Sequence, residues 1–233
     1  MTAAEAGTVF IVFARAPAPG AVKTRLIPLL GAEGAAALHA RLVKRTLQTA
    51  RAASFRRLEL HGAPGIDDPF FRFCAAHYSA NLVAQTEGDL GARMLSAFSS
   101  ALADSPRALL VGSDCPALTA LHLREADRAM RDGADAVLVP CEDGGYALIG
   151  LRRVDARLFD GIEWGGENVM AETRARLTGL GWRWRELETL WDVDRPDDYA
   201  RLMDSGLLDN RRTSETSFPR RRVYPSPRGG GKQ

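Results

Sequence analysis

The sequence predicts an α/β domain, a three-layer sandwich on a mostly parallel sheet with helices on both faces. Three observations predict it. Short apolar runs recur along the chain, segments of helical spacing alternate with them, and loops of small or polar residues follow the runs. The 233 residues are 45% hydrophobic and 26% charged, enough apolar material for the core of one large domain.

The elements follow in order. Thr8–Phe13 is a continuous apolar run, as in a strand covered on both faces. After a loop, Leu38, Leu42, Val43 and Leu47 mark one side of a helix. Arg57–Leu60 and Asn81–Ala84 read as short strands. Met94, Leu95, Phe98 and Leu102 give Gly91–Ala103 a helical period, and Ala108–Val111 is the next buried strand. A helix is expected over about Leu121–Arg131, then strands at Ala136–Val139 and Tyr146–Ile149. A short helical stretch containing Tyr199 and Leu202 closes the domain, expected to span residues 1–210. Trp182, Trp184 and Trp191 are expected to pack around the last strand region.

Charge divides the chain. The formal net charge is +2. From Arg211 to Gln233 seven basic residues face one acid, so this extension carries +6 and residues 1–210 carry −4. With its prolines and the run Gly229–Gly231 it reads as a disordered basic tail, a solvated extension without a partner being favoured over a contact with nucleic acid or an anionic membrane. The domain itself is mildly acidic and is not expected to bind nucleic acid. No run is expected to span a bilayer, and the short start, lacking a basic region, predicts no signal peptide. Cys74, Cys115 and Cys141 show neither a disulfide framework nor zinc spacing, which suits a reducing cytoplasm. The histidines have no metal-ligand spacing; His39 and His122 fall in helical stretches, His61 and His77 in or near loops.

In such sheets ligands bind beyond the carboxyl ends of the strands. Ala14–Arg25, A-R-A-P-A-P-G-A-V-K-T-R, follows the first strand and sets Arg15, Lys23 and Arg25 among small residues, which suits a diphosphate. It is not a P-loop, because Pro17 and Val22 stand where that motif needs glycines. Gly112-Ser-Asp-Cys-Pro-Ala-Leu-Thr119 places Asp114 at a strand end, where it could hold a hard cation or cap the next turn. Glu142-Asp-Gly-Gly-Tyr146 sets two acids before paired glycines, which allow close approach of a ligand or make a hairpin. In Asp192-Val-Asp194, alternation along an extended segment puts both acids on one face.

The ordered set F-A-R-A-P-A-P-G-A-V-K-T-R-L, Q-T-E-G-D-L-G-A-R-M, G-S-D-C-P-A-L, E-D-G-G-Y-A-L-I-G-L and W-D-V-D-R-P-D-D resembles the DUF2064 family. These are glycosyltransferase-A-like proteins, some of the arsenosugar-biosynthesis type, related to the nucleotidyltransferases of molybdopterin and coenzyme F420. The resemblance runs from about Val9 to Tyr199 and implies a nucleotide-diphospho-sugar-transferase-like fold. It implies diphosphate or nucleotide contacts at Arg15, Lys23, Arg25, Gln85, Gly88, Asp89 and Arg93. Divalent metal, Mg2+ or Mn2+, would be held by Asp114 and Asp194, with Asp192 as the substitute. Asp143 would act as acid or base toward a small-molecule acceptor lodged against Gly144, Gly145 and Tyr146. Two positions depart from the family's pattern: Trp164-Gly165-Gly166-Glu167 replaces Trp-Ser-Thr, and Arg195 replaces a threonine.

The resemblance thus implies a metal-dependent transferase with a nucleotide-activated donor, first a glycosyltransferase using a nucleotide sugar. A leaving diphosphate develops negative charge that metal, Lys23 and Arg25 would stabilise. The alternatives are a nucleotidyltransferase releasing pyrophosphate from a triphosphate, and a non-catalytic nucleotide- or sugar-binding module. Against the nucleotidyltransferase, the first loop lacks the glycine-rich G-x-G-x-R form of those relatives.

Overall fold

Strand β1 (Thr8–Arg15) is buried on both faces over most of its length, and the period of two in its side chains builds two cores at once. Phe10, Val12 and Ala14 enter one core, Val9, Ile11 and Phe13 the other. The computed structural model describes residues 7–55 and 57–208. The basic extension read from Arg211 onward lies outside the described residues.

Around β1 lie β2 (Arg57–Ala63), β3 (Asn81–Ala84), β4 (Arg107–Val111), β5 (Ala136–Pro140), β6 (Tyr146–Leu151) and β7 (Trp184–Glu186). They form one sheet in the order β3-β2-β1-β4-β6-β5-β7. Neighbours pair in parallel except β6, which is antiparallel to both β4 and β5. The chain leaves β1 toward β2 and β3, then returns to its other side as β4. That reversal makes a crevice beyond the carboxyl ends of β1 and β4.

Helices α1 (Ile27–Ala53), α2 (Pro69–Tyr78) and α4 (Ala120–Arg131) cover one face through Val43, Leu47, Phe71, Leu123 and Met130. Helices α3 (Leu90–Leu102) and α5 (Val169–Gly179) cover the other through Met94, Phe98, Met170 and Leu177. Helix α6 (Pro196–Ser205) lays Leu202 on Leu38 and Leu42 of α1, with Val193 between them. The starts are chemically marked. Asp68 accepts from Phe70 N with Pro69 in the first turn of α2, Asp89 accepts from Ala92 N of α3, and Thr119 with His122 forms a capping box for α4.

The three-layer, mostly parallel sandwich is the fold expected from the sequence. Several details differ. Helices α2 and α5 and strand β7 have no counterpart among the expected elements. The core of α2, P-F-F-R-F-C, is aromatic and its period is blurred, although Asp68-Pro69 is a start signal. His61 lies near the end of β2 and His77 in the last turn of α2, each close to the loop that follows. Thr24–Ala53 is a 30-residue helical run with a window of mean hydropathy 1.3, long and apolar enough by composition to cross a membrane. Its apolar stripe packs on the sheet, and Gly31 (φ 70°, ψ 166°) breaks its helical geometry, so it is read as a core helix.

One buried charge in β2 makes stability depend on pH. Glu59, 5% exposed, accepts from Arg57 Nε at 2.8 Å and from His61 Nε2 at 2.8 Å. Burial opposes its charged form, but the bonds from His61 and Arg57 outweigh it and hold the carboxyl below its ordinary value. The unfolded glutamate therefore binds protons more readily than the folded one. Its contribution is complete above the ordinary value of about 4.5 and lost as pH falls through the lower folded value. Urea titrations at pH 7 and pH 4 should show a stability loss that Glu59→Gln reduces. Glu59→Leu, which strips His61 of its partner, should cost about 3 kcal/mol at pH 7. Equal acid sensitivity in wild type and Glu59→Gln would refute this assignment.

Candidate active site at the carboxyl ends of the strands

The loop after β1 turns back on itself. Lys23 takes a left-handed conformation (φ 48°, ψ 41°), which directs its side chain inward. Lys23, expected from the sequence to contact a diphosphate, is only 4% exposed in its side chain and is not among the walls of the cavity that Asp114 lines. Its Nζ lies 2.7 Å from Asp114 Oδ1 and donates to Val193 O at 2.6 Å. Val193 N in turn donates to Asp114 O at 2.9 Å. Lys23 therefore ties the segment after β1, the segment after β4 and the last acidic segment into one unit.

In that last segment Val193 points into the small core with Leu26, Leu38 and Leu42. Asp192 and Asp194, alternating with it, face a cavity of about 390 Å³. Asp114, Asp143 and Arg25 share its walls, and Arg25 is ion-paired with Asp194. Four carboxylates and one guanidinium thus line the same cavity. Burial first, then the neighbouring Asp143 and Asp114, push the Asp192 carboxyl up to about 6, with Lys23 opposing.

The hairpin reading of Glu142–Tyr146 is also correct, because β5 and β6 are antiparallel neighbours joined there. Asp143 Oδ1 accepts from Gly145 N at 2.9 Å and shapes the turn. Asp143, Gly145 and Tyr146 line the cavity, but Gly144 does not. At Gly144 (φ +90°) a Cβ would sit 2.0 Å from Glu167 O, so its missing side chain admits protein backbone, not a ligand. Tyr146 offers its ring, while its hydroxyl turns to Met94 Sδ at 3.9 Å. Burial pushes that hydroxyl's pKa up, so it stays protonated.

The remaining nucleotide candidates lie apart. Arg15 is exposed at the end of β1. Gln85 Nε2 donates to His61 O at 2.8 Å and Ala14 O at 3.3 Å, and Arg93 Nη1 donates to Gln85 Oε1 at 3.2 Å. Gly88 has φ +106°, and Asp89 caps α3. Gln85 and Arg93 tie the ends of β1 and β2 to the first turn of α3, and none of these five residues is among the cavity walls.

Three contributors, His39, Cys115 and Cys141, are not read as site residues from the sequence, and a fourth, Trp164, enters there only as part of a departure from the family's pattern. His39, 4% exposed, donates from Nε2 to Arg15 O at 3.0 Å. Its Nδ1 faces Asp114 Oδ1 at 4.0 Å, and burial lowers its pKa, favouring the neutral ring. The signal was a polar residue in phase with the buried stripe Ala35, Leu38, Leu42. Cys115 and Cys141 line the cavity. The thiol hydrogen bond from Cys115, then burial, raise the Cys141 pKa, which keeps that thiol protonated. Trp164 forms another wall; its seat is Gly91, where a Cβ would meet Trp164 Nε1 at 2.6 Å and Phe159 O at 2.8 Å. Trp182 packs in the second core under Arg153, and Trp191 joins the α1–α6 core under Arg201.

Carboxylates as hard oxygen donors suit Mg2+ or Mn2+. Among the described residues no group of three or more His, Cys, Asp or Glu side chains is disposed as a metal cage. Asp114, Asp192 and Asp194 fit the sparser arrangement, in which one or two carboxylates and substrate oxygens share the ion.

A doubly wound sheet with an acid-walled crevice at its reversal point defines an α/β ligand-binding domain of the nucleotide-transferase type. The family model described as an uncharacterized protein conserved in bacteria (DUF2064) matches residues 46–166, and the chain belongs to that family. A solved structure of a candidate nucleotide-diphospho-sugar transferase from Desulfovibrio desulfuricans G20 is 31% identical, with TM-score 0.79, over 90% of this chain and 91% of that one. A nucleotidyl transferase from Methanothermobacter thermautotrophicus shares the fold at 18% identity, TM-score 0.59, over 86% and 99%. Rv0371c of Mycobacterium tuberculosis H37Rv, in complex with manganese, does so at 20% identity, TM-score 0.55, over 85% and 99%. No curated protein matches the chain.

Proposed function

We propose that the protein is a transferase that takes a nucleotide-activated donor with a divalent cation and passes its sugar to a small-molecule acceptor. The observation that carries this reading is the charge of the cavity, whose walls hold four carboxylates against the single cation Arg25. A diphosphate entering alone would meet strong repulsion, because unit charges 4 Å apart interact by about 4 kcal/mol near a protein surface. Bound at Asp114 and Asp194, Mg2+ or Mn2+ would neutralise the diphosphate and stabilise the charge of the leaving group. Manganese is present in the mycobacterial structure of this fold, and the Desulfovibrio relative carries the transferase description.

The chain's own residues do the rest. Lys23 fixes Asp114 and the Asp192–Asp194 segment in place. Arg25, released from Asp194 as the donor arrives, turns to the diphosphate. Trp164 and the Tyr146 ring offer flat apolar walls to a sugar or base. Asp143, exposed on the hairpin, accepts the acceptor's proton. Asp143→Asn keeps an oxygen for Gly145 N, so folding should be spared. Turnover should fall by about 10²-fold or more, with nucleotide affinity within about threefold. Loss of nucleotide binding instead would place Asp143 on the donor.

A thermal-shift panel of UDP-sugars, GDP-sugars and the four nucleoside triphosphates, each with Mg2+, Mn2+ or EDTA, tests the whole reading. Stabilisation by a diphosphate sugar that EDTA abolishes is expected. Stabilisation only by a triphosphate would replace it with a nucleotidyltransferase, and no shift with any metal would replace it with a module that does not use these donors.

A further inference from the structure

A second cavity is larger than the acidic one. A hollow of about 710 Å³ runs along the outer side of α1, between the end of α2 and the start of α4. It shares no wall residue with the acidic cavity. Its charge is opposite. Arg41, Lys44 and Arg45 lie on its α1 wall, and none of its wall residues is acidic.

These cations are poorly answered. None of the three forms an ion pair among the described residues, where other arginines commonly do. Arg45 is partly buried, and its Nε and Nη1 donate to the carbonyls of Pro116 (2.8 Å) and Leu207 (2.7 Å). Burial lowers its pKa, the response of a cation taken from water without a counter-charge. Arg41 Nη2 reaches Leu208 O at 3.1 Å. Lys44 has its Nζ over the rings of Phe70 and Phe73, 5.7 and 5.3 Å from their centroids. The opposite wall is apolar, with Tyr78, Leu118 and Leu208.

We propose that this hollow binds a small amphipathic anion, a phosphate ester with an apolar or aromatic group. The anion would sit against Arg41, Lys44 and Arg45, and the apolar part against Tyr78 and Leu118. The volume exceeds what a bare phosphate fills and falls in the usual range of small-molecule sites. The location gives the site reach. Arg45 holds Pro116, two residues from Asp114, so the hollow backs onto the segment that carries the acidic cavity's central carboxylate. The inference does not depend on the transferase reading.

Phenyl phosphate is the probe, titrated calorimetrically into the full chain at constant ionic strength, without divalent metal. Binding is expected in wild type and unchanged in Arg25→Gln, which alters only the acidic cavity. The double variant Arg41→Gln/Lys44→Gln should weaken it at least tenfold. Gln48→Glu, exposed on the same wall, adds one carboxylate with minimal change of shape and should weaken it several-fold, even if the double variant folds poorly. Binding equal to wild type in Gln48→Glu, loss of binding in Arg25→Gln, or an equal response to sodium chloride would overturn the proposal.

Discussion

Gly144→Ala should lower the thermal midpoint by roughly 10 °C or more, the largest effect expected of any single added methyl group in the candidate site. Two costs combine there. The backbone at φ +90° is strained for any residue with a Cβ, and that Cβ would lie 2.0 Å from Glu167 O and 2.6 Å from Glu167 C. Both obstacles are backbone, so no side chain can swing aside. Met170 N also donates to Gly144 O at 2.8 Å, so the hairpin cannot retreat without breaking the first turn of α5. A loss of about 4 kcal/mol follows, and at about 2–4 °C per kcal/mol for a chain of this size the midpoint falls as stated. Gly165→Ala is the control. Its φ of +87° is similar, but nothing lies within 4 Å of the new Cβ, so only the conformational strain of about 1 kcal/mol remains. Equal shifts for the two variants would show that the Glu167 contact is loose and would remove the packing account of Gly144.

That contrast shows what the sequence could and could not disclose. The pair Gly144-Gly145 between two apolar runs marked a hairpin and a place of close approach. It did not reveal that the approaching group is the chain's own backbone 23 residues later, because such a contact leaves no local pattern. The alternation of Asp192, Val193 and Asp194 was readable and the structure follows it, since a buried Val193 forces its neighbours outward. Six of the seven strands and the two-faced helical cover were legible from short apolar runs and periodicity. Strand β7 and helix α5 were not. The first has three residues and is mostly exposed, and in the second Thr173, buried by a bond to Val169 O, takes the place of an apolar side chain. Lys23 is the sharpest difference. Among prolines and small residues it read as a cation for a diphosphate, yet its left-handed backbone turns it inward onto Asp114.

Because of that inward turn, Asp114 has two separable jobs, and substitutions can divide them. Asp114→Asn should abolish cation-dependent nucleotide binding, weakening it by about 10²-fold or more, roughly 3 kcal/mol. It should also destabilise the fold by about 2–3 kcal/mol, since the buried Lys23 ammonium loses its counter-charge while His39 remains beside it. Lys23→Met should destabilise by a similar amount, through an unpaired carboxylate and the lost bond to Val193 O. The penalties should not add. In Asp114→Asn/Lys23→Met neither charge is left uncompensated, so the double variant should be more stable than the sum of the single effects predicts, by about 1–2 kcal/mol. Urea unfolding of the four proteins measures that coupling, and titration of Mn2+ with the donor found in the thermal-shift panel measures binding. Stability should recover in the double variant while binding stays lost, because a methionine and an amide cannot replace a carboxylate as a ligand for a hard cation. Recovery of both would mean that Asp114 serves only to hold Lys23, and the cation would then have to be sought at Asp192 and Asp194. Recovery of neither would mean that the Lys23–Asp114 contact carries little of the coupling, and that Val193 O is the lysine's principal partner.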